Sequence, residues 1–127
     1  MVIPEELRYT EDHVWVATRD DDVVRVGITE DGQDELGDLV SVRLPELGDR
    51  VAAGAALGSV AADGATAEVV APVGGEVVAV NVAVDVEPDL VNSDPYGEGW
   101  LVEIRLDDPD AVEALLDADA YQVVTRS

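Results

Sequence analysis

Two phrases of the same shape frame the middle of the chain. Gly48-Asp49-Arg50-Val51 opens a turn into a strand, and Gly74-Gly75-Glu76-Val77-Val78 does the same. Between them, Leu57-Gly58-Ser59-Val60-Ala61-Ala62 and Ala65-Thr66-Ala67-Glu68-Val69-Val70 flank the dipeptide Asp63-Gly64. Asp-Gly is among the strongest two-residue hairpin turns, because both positions tolerate positive φ. A hairpin between two matching strand entries predicts a flattened barrel or sandwich of short strands, with the hairpin protruding.

The flanking sequence keeps this texture. His13 to Ala17 alternates, Arg19-Asp20-Asp21-Asp22 turns, and Val23 to Ile28 returns with Val24, Val26 and Ile28 on one face. The acidic turn lacks the glycine and distal glutamate of a calcium loop, so it reads as a polar turn. Leu39 to Leu44 is the next strand, with Val40, Val42 and Leu44 expected inward and Ser41 and Arg43 outward. Trp100 to Leu106 is the last. Two helices are expected. A short internal one spans Thr29 to Gly37, capped by Thr29, weakened by Gly32 and stopped by Gly37. A C-terminal one starts at Asp108-Pro109 and packs through Val112, Leu115 and Leu116.

Composition narrows the function. The chain has 127 residues, is 47% hydrophobic and lacks Phe, so its core is aliphatic; one domain, 1–127, is expected. No cysteine means no disulfide, thiolate metal site or Cys nucleophile. No apolar run approaches the ~20 residues of a membrane span, and the N-terminus does not read as a signal peptide. A cytoplasmic protein without membrane contact is the plain expectation. Net charge is −22, which disfavours nucleic acid. The acids are interleaved with valines rather than gathered in a tail, as suits a solvated surface in high salt. All seven basic residues are arginine, and there is no lysine. A salt-loving source or a high-GC genome accounts for that pattern.

The chemistry-bearing residues have plain structural readings. His13, the single histidine, reads as structural rather than as a general base. Asn92-Ser93-Asp94-Pro95-Tyr96-Gly97 is a set of turn formers. Gly74-Gly75 lacks the Lys-Ser/Thr of a phosphate loop. Trp15 and Trp100 read as core, and Tyr96 as a residue suited to a partner surface. No catalytic residue and no metal site is assigned.

Four stretches carry a family resemblance. They are Leu7 to Val16; Val26 to Glu30 with Leu36-Gly37-Asp38 and Leu44 to Asp49; Ala71 to Val77 with Val80-Asn81; and Leu90-Val91-Asn92-Ser93-Asp94-Pro95-Tyr96-Gly97-Glu98-Gly99-Trp100-Leu101. Together with Leu115 to Tyr121, they resemble the H protein of the glycine cleavage system. The resemblance implies a mostly β barrel-sandwich hybrid, like lipoyl and biotinyl domains. It implies a carrier, not an enzyme. In the family a lipoyl-lysine on the hairpin takes an aminomethyl unit from the P protein to the T protein, and the L protein reoxidises the arm.

The chain departs from the family where that chemistry lies. The family reads Val-Glu-Ser-Val-Lys-Ala; here the stretch is Val60-Ala61-Ala62-Asp63-Gly64-Ala65. Counted back from Ala71-Pro72, Gly64 takes the lysine's place and Ala61 that of a glutamate. Ala62, Asp63, Ala65 and Glu68 flank the position, Glu68 standing for the family's aspartate. Ser41 and Arg43 replace a usual aromatic and a usual acid. In the family, a glutamate between the His and Trp of the opening motif lines the cleft that holds the loaded arm. Here His13 is followed by Val14. Loss of an arm removes the partner of a cleft carboxylate, and an unpaired buried carboxylate is costly. No lipoyl cofactor is therefore expected. A docking or scaffold role is, with Asn92, Asp94, Tyr96 and Glu98 as candidate contacts for the P, T and L proteins or a lipoate-transfer enzyme. The alternatives are a carrier with an altered arm region, a cleft near Val14 taking an apolar ligand, and an enzyme built on His13.

Overall fold

The computed structural model describes residues 7–10, 13–19, 22–29, 37–62 and 65–126. Among the described residues, nine strands form two antiparallel sheets. β1 (Arg8–Tyr9), β2 (Val14–Thr18), β3 (Val23–Ile28), β9 (Val102–Leu106), β8 (Gly75–Val80) and β5 (Arg50–Val51) make the larger, in that order. β4 (Leu39–Arg43), β6 (Ala56–Ala62) and β7 (Ala65–Val70) make the smaller. The two framing phrases meet each other: Arg50 pairs with Glu76 and Val51 with Gly75.

The main core lies between the sheets and is aliphatic. Val24, Val26 and Ile28 enter it from β3, Val60 and Ala62 from β6, and Val102 and Ile104 from β9. β2 is buried on both faces. Val14 and Val16 join the main core, while Trp15 turns to a second cluster with Leu7, Tyr9, Ala118 and Tyr121. Trp15 lies across Gly27, its cross-strand partner, where a Cβ would come within 2.5 Å of the indole.

Several expectations change on folding. Val40 points outward and is 63% exposed, because the β4–β6 register shifts between Leu39 and Ser41. Such a bulge turns the next side chain to the other face. Leu39 and Val42 are the inward residues, and Leu44 is half-buried beyond the strand end. The helix expected from Asp108 is a 3-10 segment, Pro109–Ala114, capped by the Asp108 carboxylate on the Asp110 N–H. It stops because Leu116 exchanges two backbone hydrogen bonds with Tyr9, of 2.8 and 2.9 Å, which holds it extended. The terminal α-helix follows, at Ala118–Arg126.

Among the described residues, two short helices precede the last strand: α1 (Val82–Val86) and α2 (Leu90–Ser93), and the terminal helix is α3. The alternating valines of α1 carry a strand-like pattern. The helix forms because Asn81 caps it, accepting from the Ala83 N–H, while its amide donates to the Glu98 and Trp100 carbonyls at 2.7 Å. The expected helix at 29–37 and the turn at Asp20-Asp21 fall largely outside the described residues. No described helix is long and apolar enough to cross a membrane.

Candidate functional site

The hairpin singled out by sequence is β6–β7. Its pairing runs Ser59↔Glu68, Val60↔Ala67, Ala61↔Thr66 and Ala62↔Ala65. Asp63 and Gly64, between the last pair in sequence, lie outside the described residues. Strand alternation divides the rest. Leu57, Val60, Ala62 and Val69 face the core, whereas Ser59, Ala61, Thr66 and Glu68 face outward. β4 continues the outer face, since Ser41 pairs with Ala61 and Arg43 with Ser59. The outer surface thus carries two cross-strand rows, Ser41–Ala61–Thr66 and Arg43–Ser59–Glu68.

A groove of about 740 Å³ opens on this face. Its lining includes Ser41, Arg43, Ser59 and Thr66 of the three strands and Val82 and Asp85 of the helical turn Val82–Val86. Sequence reasoning placed Ser41 and Arg43 on the outward face of their strand, where they are found, and noted them as departures from a family pattern. It passed over Asp85, because α1 was not legible.

His13 and Val14 have structural settings. His13 adopts φ 66°, a left-handed conformation in which His is one of the more frequent non-glycine residues. Its Nδ1 lies 2.7 Å from the Tyr121 hydroxyl, which also lies 2.7 Å from the buried Thr29 hydroxyl. Val14 is 1% exposed in the main core and pairs with Ile28, so its side chain lines no open cleft. A groove with volume for a ligand lies on the outer face of β4–β6–β7.

The four docking candidates are distributed between structure and surface. Asn92 clamps the start of β4: its Oδ1 accepts from the Leu39 N–H and its amide donates to the Gly37 carbonyl, both at 2.9 Å. Asp94 accepts from the Glu98 N–H at 3.0 Å, closing the turn. Tyr96 tilts against Trp15, whose indole N–H donates to the Pro95 carbonyl at 2.8 Å. Glu98 is exposed. The sequence signature of this loop is thus largely that of a clamp between β4, β2 and α1.

Comparison with known proteins agrees with this architecture. The family model described as glycine cleavage H-protein matches residues 7–127. A glycine cleavage system H protein from Mycobacterium sp. (strain KMS) is 49% identical over 128 residues, covering 98% of each chain. A probable glycine cleavage system H protein from Natronomonas pharaonis is 52% identical over 120 residues, 94% of each chain. The crystal structure of a glycine cleavage system H protein from Mycobacterium marinum superposes with a TM-score of 0.89 at 39% identity, covering 98% of this chain and 100% of that one.

Proposed function

The chain belongs to the glycine cleavage H-protein family, and from that premise we propose that it is a member that carries no lipoyl group. An H protein is a lipoyl carrier rather than an enzyme. Lipoate attaches through an amide to a lysine amine, and this chain has no lysine anywhere. That absence is the observation on which the reading rests. The residues present do not fit the group, so no transfer step through it is derived. Gly64, in the place of the lysine, has no side-chain atom to acylate. Val14 is aliphatic and buried, and offers no carboxylate to a loaded arm.

What remains is a binding role on the family scaffold, taken as one unit over 1–127. The proposed partners are the P, T and L proteins of glycine cleavage or a lipoate-transfer enzyme, with this chain acting as scaffold or competitor. Whole-length similarity to H proteins supports this, as does an outer hairpin face that stays exposed. Intact mass after co-expression with a lipoate ligase is the test. An unmodified mass is expected, and one lipoyl adduct would overturn the proposal. Retention of at least one of the four proteins on the immobilised chain is also expected; retention of none would sink the docking role. The 49–52% identities favour a second reading, a working carrier whose arm region is altered in this sequence. The same mass measurement separates the two.

A further inference from the structure

The arginines divide into two kinds. Arg19 and Arg25 face Glu103, Arg50 faces Asp107, and Arg105 faces Glu76. Arg43 is exposed and has no carboxylate or hydrogen-bond partner among the described residues. Arg8 likewise has no carboxylate partner among the described residues, so Arg43 is set apart by the groove it lines and not by being unpaired. Arg43 lines the groove on the outer face of β4–β6–β7, and the carboxylate in the same lining is Asp85, likewise exposed and unpartnered. The two are not within ion-pair distance of each other, so each is left to find a partner from solution. The same lining holds the hydroxyls of Ser41, Ser59 and Thr66. Val82, 68% exposed, adds an apolar wall.

We propose that this groove binds a small aliphatic zwitterion of about dipeptide size. Its carboxylate lies on Arg43, its ammonium on Asp85 and its side chains against Val82. The groove's own charges are one of each sign. A simple anion approaching Arg43 would meet the long-range repulsion of the whole molecule, whereas a zwitterion has no net charge to be repelled. A volume near 740 Å³ falls within the roughly 300–1,000 Å³ of small-molecule sites and is generous for a single amino acid. A peptide unit between the two termini offers a donor and an acceptor to the three hydroxyls.

Amide chemical shifts followed by NMR during titration with leucyl-valine test the proposal, with N-acetyl-leucyl-valine and leucyl-valinamide as single-charge controls. Saturable shifts are expected at Ser41, Arg43, Ser59, Thr66, Val82 and Asp85. Each control should bind at least about fivefold more weakly than the free dipeptide, given the loss of one charge-assisted contact. Arg43→Gln should remove the preference for leucyl-valine over leucyl-valinamide, and Asp85→Asn the preference over N-acetyl-leucyl-valine. Both residues are exposed, so neither change should touch folding. The proposal is overturned by no saturation, by equal binding of all three ligands, or by preferences that survive both substitutions. Tighter binding of the acetylated form would overturn it in favour of a plain carboxylate site.

Discussion

Tyr121 shows how one hydroxyl ties separate parts of this chain together. Its ring stacks on Tyr9 at 4.7 Å, while its oxygen bonds both Thr29 and His13. Tyr121→Phe keeps the stack and removes only the oxygen, so it should cost about 1–2 kcal/mol, in line with a buried hydrogen-bonding group. Urea denaturation measures this, and an unchanged midpoint would show that the bonds contribute nothing net. Gly27 makes the opposite point, since its function is to have no side chain. Trp15 is 1% exposed and pinned at its indole N–H by the Pro95 carbonyl, so it cannot retreat from an added methyl. Gly27→Ala should therefore destabilise by about 2–3 kcal/mol, as overpacking does. A thermal melt with tryptophan fluorescence would register the loss and the displaced indole together. A variant as stable as the parent would mean that the indole has room to move.

Among the described elements, β4 is an edge strand. It pairs with β6 on one side, and its first N–H is held by the Asn92 side chain. Asn92→Ala should speed hydrogen exchange at the Leu39 amide and lower stability by about 1–2 kcal/mol. Exchange unchanged at Leu39 would mean that the clamp is redundant. The β6–β7 hairpin allows a gain-of-function prediction. A Gly64→Lys, Ala61→Glu double variant restores a lysine at the position proposed for attachment and an acid beside it. Incubated with a lipoate ligase, it should gain one lipoyl adduct by intact mass, while the parent gains none. If the ligase modifies an H protein but not this variant, Gly64 is not the attachment position.

At the scale of the whole molecule, charge governs. Twenty-nine acidic against seven basic residues leave a surface that repels itself, and the ion pairs between Arg25 and Glu103 or Arg50 and Asp107 offset only a part of it. Raising salt from about 0.1 M to 1 M shortens the screening length from ~10 to ~3 Å and should raise Tm by several degrees. A flat or falling Tm would rule out a surface adapted to salt. The sequence by itself determined the strands, because alternation and turn chemistry are local: Val24, Val26 and Ile28 share the inward face they were expected to share. Family motifs likewise carried the fold class and the missing lysine, which depend on residue identity alone. Only the tertiary structure decided where that local pattern was overruled. A bulge turned Val40 to solvent, Tyr9 drew Leu116 out of a helix, and the Asn81 cap made a helix of alternating valines. It also decided that Val14 is core and that Arg43 and Asp85 share a groove. These outcomes depend on hydrogen bonds and packing between residues far apart in the chain, which no local period encodes.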